Sequence, residues 1–548
     1  MMSFRTVLAL LGIVMVSKDA GAVVSAKSSQ PSGRIARPWV VLNEDMNNFA
    51  IEFTQKNPDK WITREWIGAY ADRYLKGPVT HYFVNPQAMM AYYPSKHFES
   101  PWGIHERMNG TCVLSEKSAV HDRYTQVIKK MSVEDKIDPY AIFIDRARKR
   151  GVAPWLTFRV NDLHDIWYGR DACTLSDRWR NHPEWRRVPG AQMGKSRGFD
   201  MGYNYACKEV RDYHLGAFRE ALERYDVDGV ELDWMRFTWI LPPGREREDA
   251  HFLTEFMRDA KRMIDEVGKL KGRTLGIAVR LPPRPELARE MGYDFETWAR
   301  EDLMDIVTPC NWWVSVDFAE PIAQWREILR RANPKIRLLA GADDGYSPEG
   351  DHLTRRSLTV AERNGWIARC LSEGAEGFYF FNHYGIGRMA DAGKMLAEDE
   401  AWTLERFVGR PRAYPISYVD RQHYDGKIVN RLLPCTVGER PVSFVIPCGR
   451  TPKSPSVAVV VAFESRPRET TLASVCLNGV KATSVAPAPE DFFTTRNRIG
   501  KSVLRLTFPG ACLKDGENVL SVCGDGCADA RLCAGEIEIS GVGDGCFG

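Results

Sequence analysis

Between Pro38 and about Tyr384, short apolar runs rich in β-branched and aromatic residues alternate with stretches of helical period. The runs Val40–Asn43, His81–Asn85, Val152–Arg159, Val227–Arg236, Thr274–Leu281, Asp305–Asn311, Ile336–Gly341 and Gly377–Asn382 predict eight strands. Helices are predicted over Trp61–Tyr74, Tyr140–Arg150, Glu209–Tyr225 and His251–Leu270. A chain that alternates strand and helix in this order makes a parallel sheet that closes on itself, so the α/β class and a (β/α)8 TIM barrel are expected. An open doubly wound sheet is the alternative. It would gather polar residues at one switch point, whereas here they follow many strands, and no glycine-rich phosphate loop follows any of them. Two long segments, Pro86–Pro139 and Asn161–Tyr205, each follow a strand and so read as βα-loop insertions over one face. After about Arg412 the pattern becomes period-two, with runs at Val457–Phe463, Ala473–Leu477, Val503–Phe508, Asn518–Val522 and Glu536–Ser540 between Gly, Pro and Asp clusters. That pattern predicts a C-terminal all-β sandwich domain. The expected organisation is a signal peptide over 1–26, a barrel over 27–410 and a β-sandwich accessory domain over 411–548.

The N-terminus carries Arg5, an apolar run from Thr6 to Val16, and small-residue cleavage sites at Ala20-Gly21-Ala22 or Val24-Ser25-Ala26. These features predict a cleaved signal peptide and a secreted or periplasmic protein. No later segment holds the roughly 18 apolar residues that a membrane-spanning helix needs, so no integral membrane segment is expected. With 75 Lys+Arg against 72 Asp+Glu the net charge is only +3, and no basic block stands out; a nucleic-acid partner is not expected. Among 13 cysteines, Cys435, Cys448, Cys476, Cys512, Cys523, Cys527, Cys533 and Cys546 cluster near the C-terminus. Export favours disulfides there over a zinc site at Cys523, Cys527 and Cys533. The 16 tryptophans suit ligands with a flat apolar face and polar edges, sugar rings above all, although most Trp in any protein is core.

The most informative stretch is Asp228-Gly229-Val230-Glu231-Leu232-Asp233-Trp234-Met235-Arg236. Strand parity puts Glu231, Asp233 and Met235 on one face and Val230, Leu232 and Trp234 on the other. In a barrel the apolar set faces the helices and the acidic set faces the axis, where unpaired charge costs several kcal/mol. Arg280 on the next strand is the expected partner, with Arg159 a second. A structural ion-pair network is the plain alternative. Asp233 nevertheless falls at the C-terminal end of its strand, where barrel enzymes place reacting groups.

Other rim positions converge on the same face. Asn43, Glu44 and Asp45 follow the first strand, Asn85 the second, and Asn161, Asp162 and His164 the third; Asn311, Trp312 and Trp313 follow the sixth, Asp343 and Asp344 the seventh, and Asn382, His383 and Tyr384 the eighth. Each alone is an ordinary turn residue. Together they offer acceptors for hydroxyl groups and flat faces for C–H stacking. Asp162, His164 and His383 could instead ligate a metal for a metal-dependent hydrolase, but their spacing is not diagnostic and no HExxH, GxSxG or Walker pattern is present.

The stretches Arg159-Val160-Asn161-Asp162-Leu163-His164, His182-Pro183-Glu184-Trp185 and Asp228 to Asp233 resemble the barrel glycoside hydrolases, most closely the glycosyl-hydrolase-like 10 type of exported bacterial proteins. The stretch Asp228 to Trp234 is also similar to the strand-four motif of chitinase-type enzymes, with Met235 standing where that motif has its catalytic Glu. The resemblance implies a two-carboxylate glycoside hydrolase acting on a polysaccharide or oligosaccharide without a cofactor or metal. Asp233 is then the nucleophile or base and Glu231 its deeper electrostatic partner. The general acid is Asp343 or Asp344 first, Asp162 second and Glu286 third. Arg159, Asn161, His164, Arg280, Asn311, Trp312, Trp313, His383 and Asn85 would bind substrate, and Trp234 is either a sugar platform or core. The Met235 departure motivates a second reading, a non-catalytic glycan-binding barrel.

Overall fold

The computed structural model describes residues 37–45, 47–100, 118–163, 166, 175–192, 195–196, 198–311, 316–343, 345–346, 356–381, 402–417, 432–465, 467–468, 471–472, 474–493, 502–524 and 530–541. The predicted leader over 1–26 lies outside them. Eight parallel strands close into a barrel: β1 (Trp39–Glu44), β2 (His81–Val84), β3 (Ala153–Arg159), β4 (Gly229–Asp233), β5 (Gly276–Leu281), β6 (Ile306–Pro309), β7 (Arg337–Asp343) and β8 (Gly377–Phe381). Closure is direct, with Val41 of β1 opposite Tyr379 of β8. Principal helices cover the outside: α1 (Arg64–Asp72), α2 (Pro139–Lys149), α3 (Lys208–Arg224), α4 (Ala250–Leu270), α5 (Phe295–Arg300), α6 (Ile322–Ala332), α7 (Val360–Ser372) and α8 (Leu404–Val408). The expected alternation holds, and the open-sheet alternative does not.

The strands separate into two sets by parity. Val40, Leu42, Leu156, Phe158, Val230, Leu232, Ile277 and Val279 point outward into the helix layer and are fully buried there. Trp234 joins them, packed among Tyr205, Phe256, Tyr293 and Trp298, so it is core and not a sugar platform. The inward set begins as an apolar plug of Val41, Phe83, Trp155, Ala278, Ile306, Leu339, Tyr379 and Phe381. Trp155 fills its part of the plug only because β4 and β5 carry glycine beside it. A Cβ on Gly229 would lie 2.6 Å from the indole, and one on Gly276 2.5 Å from it.

Beyond the barrel, β9 (Arg412–Pro415), β10 (Cys435–Val437), β12 (Pro455–Phe463), β15 (Ser484–Pro487), β16 (Ser502–Phe508) and β18 (Ala530–Gly541) form one antiparallel sheet. β11 (Val442–Pro447), β13 (Cys476–Leu477), β14 (Val480–Lys481) and β17 (Glu517–Val522) form another. Among the described residues from Pro38 onward, barrel and sheets belong to one compact unit and share one apolar core. Backbone meets backbone where they join. A Cβ at Gly365 of α7 would stand 2.4 Å from the Ala413 carbonyl of β9, and the Asn364 amide donates to the Pro411 carbonyl at 3.0 Å. The disulfide expectation does not hold among the described cysteines: Cys207, Cys310, Cys370, Cys435, Cys448, Cys476, Cys512 and Cys523 are free thiols. Cys310, Cys370, Cys448 and Cys512 are buried, where a thiol packs as a small apolar group.

A charged cluster lines this seam. Arg356 clasps Glu362 through two hydrogen bonds of 2.7 and 2.6 Å, and Glu362 completes the capping box of α7 with Thr359. Glu536 and Glu538, on one face of β18, sit beside that pair, and Arg505 of β16 reaches Glu538. Burial, reinforced by the Glu362 charge and opposed by Arg356, holds the Glu536 carboxyl well above its ordinary value of 4.5. A raised folded value means that stability is complete below about 4.5 and drains as pH climbs toward that folded value, by up to about 1.4 kcal/mol per pH unit. Glu536→Gln therefore flattens the fall in stability above pH 4.5, as read from denaturant midpoints across a pH series. Parallel curves for the two proteins would contradict the assignment. A second expectation concerns the plug: Gly229→Ala drives a methyl into Trp155 and lowers stability by about 1–3 kcal/mol, measured by the same method.

Candidate functional site

Above the apolar plug, the inward positions become polar. Thr157, Glu231 and Ala278 are in register across β3, β4 and β5, and one step higher Arg159, Asp233 and Arg280 are in register too. All of these side chains are buried. The upper row places a carboxylate between two guanidiniums on neighbouring strands, which is how a closed barrel tolerates charge.

Asp233 is held tightly. Arg280 donates to Oδ1 through Nε at 2.8 Å and to Oδ2 through Nη2 at 2.9 Å, and the Met235 amide donates to Oδ1 at 2.9 Å. Oδ2 accepts a single bond among these and keeps acceptor capacity. The Arg280 guanidinium lies against the Phe381 ring, with Cζ 3.8 Å from its centroid. On the other side Arg159 donates to Asp162 at 2.9 Å and to Asp45. Of the two expected ion-pair partners of the acidic strand, Arg280 engages Asp233 directly, whereas Arg159 pairs with Asp45 and Asp162 instead of with a carboxylate of β4.

Glu231 sits one layer below Asp233. Its Oε1 accepts from the Thr157 hydroxyl at 2.6 Å and the Tyr379 hydroxyl at 2.7 Å, while Oε2 has no hydrogen-bond partner among the described residues. Burial first and the Asp233 charge second push the Glu231 carboxyl up to about 7, against the pull of Arg280 and the two hydroxyls. The two carboxyls of β4 thus stand in unlike states: one is clamped by a guanidinium, the other retains a proton toward neutrality.

The remaining expected residues divide sharply. Asp343 ends β7 in register with Phe381 and is buried at the mouth. Asn311 is buried just past β6, after Cys310, whose thiol lies 3.9 Å from Arg280 Nη1. Asn85 spends its Oδ1 on the Gln87 amide at 2.9 Å, as a turn residue does. Asn161 is committed to backbone: its amide nitrogen donates to the Phe237 carbonyl at 2.7 Å and its oxygen accepts from the Tyr203 amide at 3.1 Å. It fastens the second insertion to the loop after β4, so the expectation of direct substrate contact is corrected to one of positioning. Glu286 is also corrected. It stands exposed on the short helix Pro285–Glu290, bonded to Gln324 at 2.5 Å, away from the barrel axis. Asp344, His164, Trp312, Trp313 and His383 lie outside the described residues, as do Asn382 and Tyr384, so the Asp162, His164 and His383 metal set is placed only at Asp162. No group of metal-ligating side chains occurs among the described residues.

Arg236 was missed. Extending β4 through Arg236 would turn that side chain outward with Trp234. The strand instead stops at Asp233, because the Asp233 carboxylate captures the Met235 amide and turns the chain; Phe237 then adopts φ 61°. Arg236 therefore comes round to the mouth, buried, with its Cζ 5.5 Å from the Phe381 ring that Arg280 also covers. An Asp two residues before the turn was the available signal.

No family model matches the chain, and no curated protein matches it. Among solved structures it is similar to α-L-fucosidase isoenzyme 2 from Paenibacillus thiaminolyticus, at 13% identity over 66% of this chain and 48% of that one, TM-score 0.39. It is similar to the glycoside hydrolase domain of PgaB (BpsB) from Bordetella bronchiseptica, at 12% identity over 67% of this chain and 99% of that one, TM-score 0.41. It is also similar to the GH36 α-galactosidase AgaA from Geobacillus stearothermophilus, at 12% identity over 92% of this chain and 56% of that one, TM-score 0.36. The chain spans about half the length of the fucosidase and the galactosidase.

The Glu231 geometry has a measurable consequence. Its raised value means that stability contributed by the neutral acid is complete below about 4.5 and is lost as pH rises toward about 7. The protonated-carboxyl infrared absorption should lose one component with a midpoint near pH 7, and that component should be missing from the difference spectra of Glu231→Gln. A component already absent at pH 5 would refute the assignment.

Proposed function

We propose that the protein is an exported glycoside hydrolase that cleaves glycosidic bonds of a polysaccharide or glycan at the C-terminal mouth of the barrel. The observation that carries this reading is the pair of unlike carboxyls on β4, Asp233 clamped by Arg280 and Glu231 beneath it, with Asp343 across the barrel on β7. Packing requires none of these charges, and hydrolysis through an oxocarbenium-like transition state requires a carboxylate opposite an acid. Asp233 is assigned as nucleophile, or as base if the reaction inverts, oriented by Arg280. Asp343 or Asp344 is the first choice for the acid, because Asp162 is needed beside Arg159 to offset its charge. The two antiparallel sheets are read as an accessory β-sandwich, and residues 1–26 as the leader that exports the chain.

A second reading has its own observation. Asp233 already accepts from Arg280 and from the Met235 amide and is 1% exposed, which suits a barrel that binds a glycan without cleaving it. The two readings part in a reducing-end and oligosaccharide-product screen on a broad glycan panel. Sugar release that falls at least about a hundredfold in Asp233→Asn and survives EDTA is the expected result. The variant must be checked for folding, since loss of one partner of a buried ion pair costs about 3–5 kcal/mol. Unchanged turnover in a folded Asp233→Asn would refute the nucleophile, and equal glycan binding by both forms without product would establish the binding barrel.

A further inference from the structure

The inward side chains above the apolar plug differ in how fully they are engaged. Arg280 and Asp233 hold one another, and Arg159 holds Asp45 and Asp162. Three uncharged atoms are left over. Thr308 stands two residues beyond the plug residue Ile306 on β6, so alternation turns it inward, in register with Arg280. Its hydroxyl is buried and has no hydrogen-bond partner among the described residues. Asn43 likewise stands two residues beyond the plug residue Val41 on β1, and its Oδ1 is buried and unpartnered. Glu231 Oε2 is the third such atom. Gln87, just past the same end of β2, is also buried, with neither end of its side-chain amide engaged.

The three inward atoms differ in kind. Glu231 Oε1 already accepts from the Thr157 and Tyr379 hydroxyls, so the proton of the neutral acid belongs on Oε2, which makes that oxygen a donor. Asn43 Oδ1 only accepts, and the Thr308 hydroxyl does either. Burying such groups without partners is costly. Valine has the shape of threonine and leucine that of asparagine, and the layer below is built from residues of that kind. Packing therefore gives no reason for Asn43 and Thr308. A sugar hydroxyl both donates and accepts, so a single sugar unit satisfies all three atoms. A carboxylate or sulfate ester would instead set acceptor oxygens against Asn43 Oδ1 and a negative charge beside Asp233, whose guanidinium is already engaged.

We propose that Asn43, Glu231 and Thr308 form a socket inside the C-terminal half of the barrel for one uncharged sugar unit, each making a hydrogen bond to one of its hydroxyl groups. This inference rests on the glycan-hydrolysing reading and deepens it: the substrate class is a neutral saccharide, and Asn43 and Thr308 are residues that select it.

The test is calorimetric titration and thermal melting of the purified protein with glucose, galactose, mannose, xylose, fucose and N-acetylglucosamine, and with glucuronate and galacturonate as charged counterparts, below the Glu231 value of about 7. At least one neutral sugar should bind at least about tenfold more tightly than either uronate. Thr308→Val keeps the shape and removes the hydroxyl. It should melt no lower than the unmodified protein, since no protein group loses a hydrogen bond, and should weaken sugar binding about tenfold, the worth of one such bond. Thr308→Ser should retain most of the affinity, and Asn43→Leu should lose about as much as Thr308→Val. Unchanged affinity in Thr308→Val would overturn the proposal, as would uronates that bind as tightly as the neutral sugars. If Thr308→Val does not fold, Asn43→Leu and the comparison of sugars with uronates decide. Product release from the glycan panel scores the hydrolase separately. Sugar binding that depends on Thr308, without product from any glycan, would leave the socket standing and remove the hydrolase reading. Product release that is equal in Thr308→Val, with none of the neutral sugars bound, would overturn the socket and keep the hydrolase. Neither binding nor product would remove both.

Discussion

The row Arg159, Asp233 and Arg280 across β3, β4 and β5 is the constraint on which the upper half of the barrel depends. Water cannot neutralise a charge on the axis of a closed eight-stranded barrel, so each must be met by an opposite charge on a neighbouring strand. One carboxylate beside two guanidiniums leaves a positive excess, and Asp45 and Asp162, after β1 and after β3, offset it through Arg159. The same arithmetic acts downward. Glu231 is buried directly beneath Asp233, and burial first and the Asp233 charge second let it retain a proton to higher pH, while Thr157 and Tyr379 supply hydroxyl donors.

Such an arrangement is poor material for stability. Replacing a buried ion pair with well-packed apolar residues is often neutral or stabilising, and this barrel has a well-packed apolar layer immediately below. The charges are therefore better explained by what they hold in place. Bidentate contact with Arg280 fixes both oxygens of Asp233, and the Met235 amide fixes the turn that follows. The result is a carboxylate of defined orientation at the end of β4, followed by a turn that carries the Arg236 guanidinium over the Phe381 ring.

The strand and helix order was legible because it depends on periodicity: the outward apolar residues of every strand repeat at two, and their helices at a longer period. The Asp233–Arg280 pair was legible for a related reason, since adjacent parallel strands place residues at equal height. Features that depend on one side chain bonding backbone were not. Asp233 ends β4 earlier than its apolar pattern does, and this moved Arg236 from the helix side to the mouth. Asn161 looked like a rim acceptor, but the Phe237 carbonyl and the Tyr203 amide claim both ends of its amide. Glu286 looked like a strand-end acid because it follows β5 closely; it belongs to a short helix that turns it outward. Cysteine count and an expected export route suggested pairing, yet pairing needs Cβ atoms face to face, and spacing along the chain does not encode that.

The two ends of the barrel are built differently. At the N-terminal end His81 stacks on Trp39 with ring centroids 3.8 Å apart, and Arg337 also covers that indole, 4.1 Å from its centroid. Burial, with Arg337 adding to it, pushes the His81 imidazole down to about 3, so the ring is neutral and seals the bottom as an aromatic plate. At the C-terminal end, strands of the same barrel finish in Asp233, Arg280, Arg159 and Asp343, residues that packing alone would not select. The plug of Trp155 and its neighbours separates the two ends and supplies the low-dielectric floor against which the upper charges act. Electrostatic interactions over such a floor are stronger than in water, so a charge developing on a bound substrate would be felt by Asp233 and by the guanidiniums around it. The inward carboxylates of the described strand residues, Glu231, Asp233 and Asp343, all lie toward the C-terminal end, on the far side of that floor from His81 and Trp39.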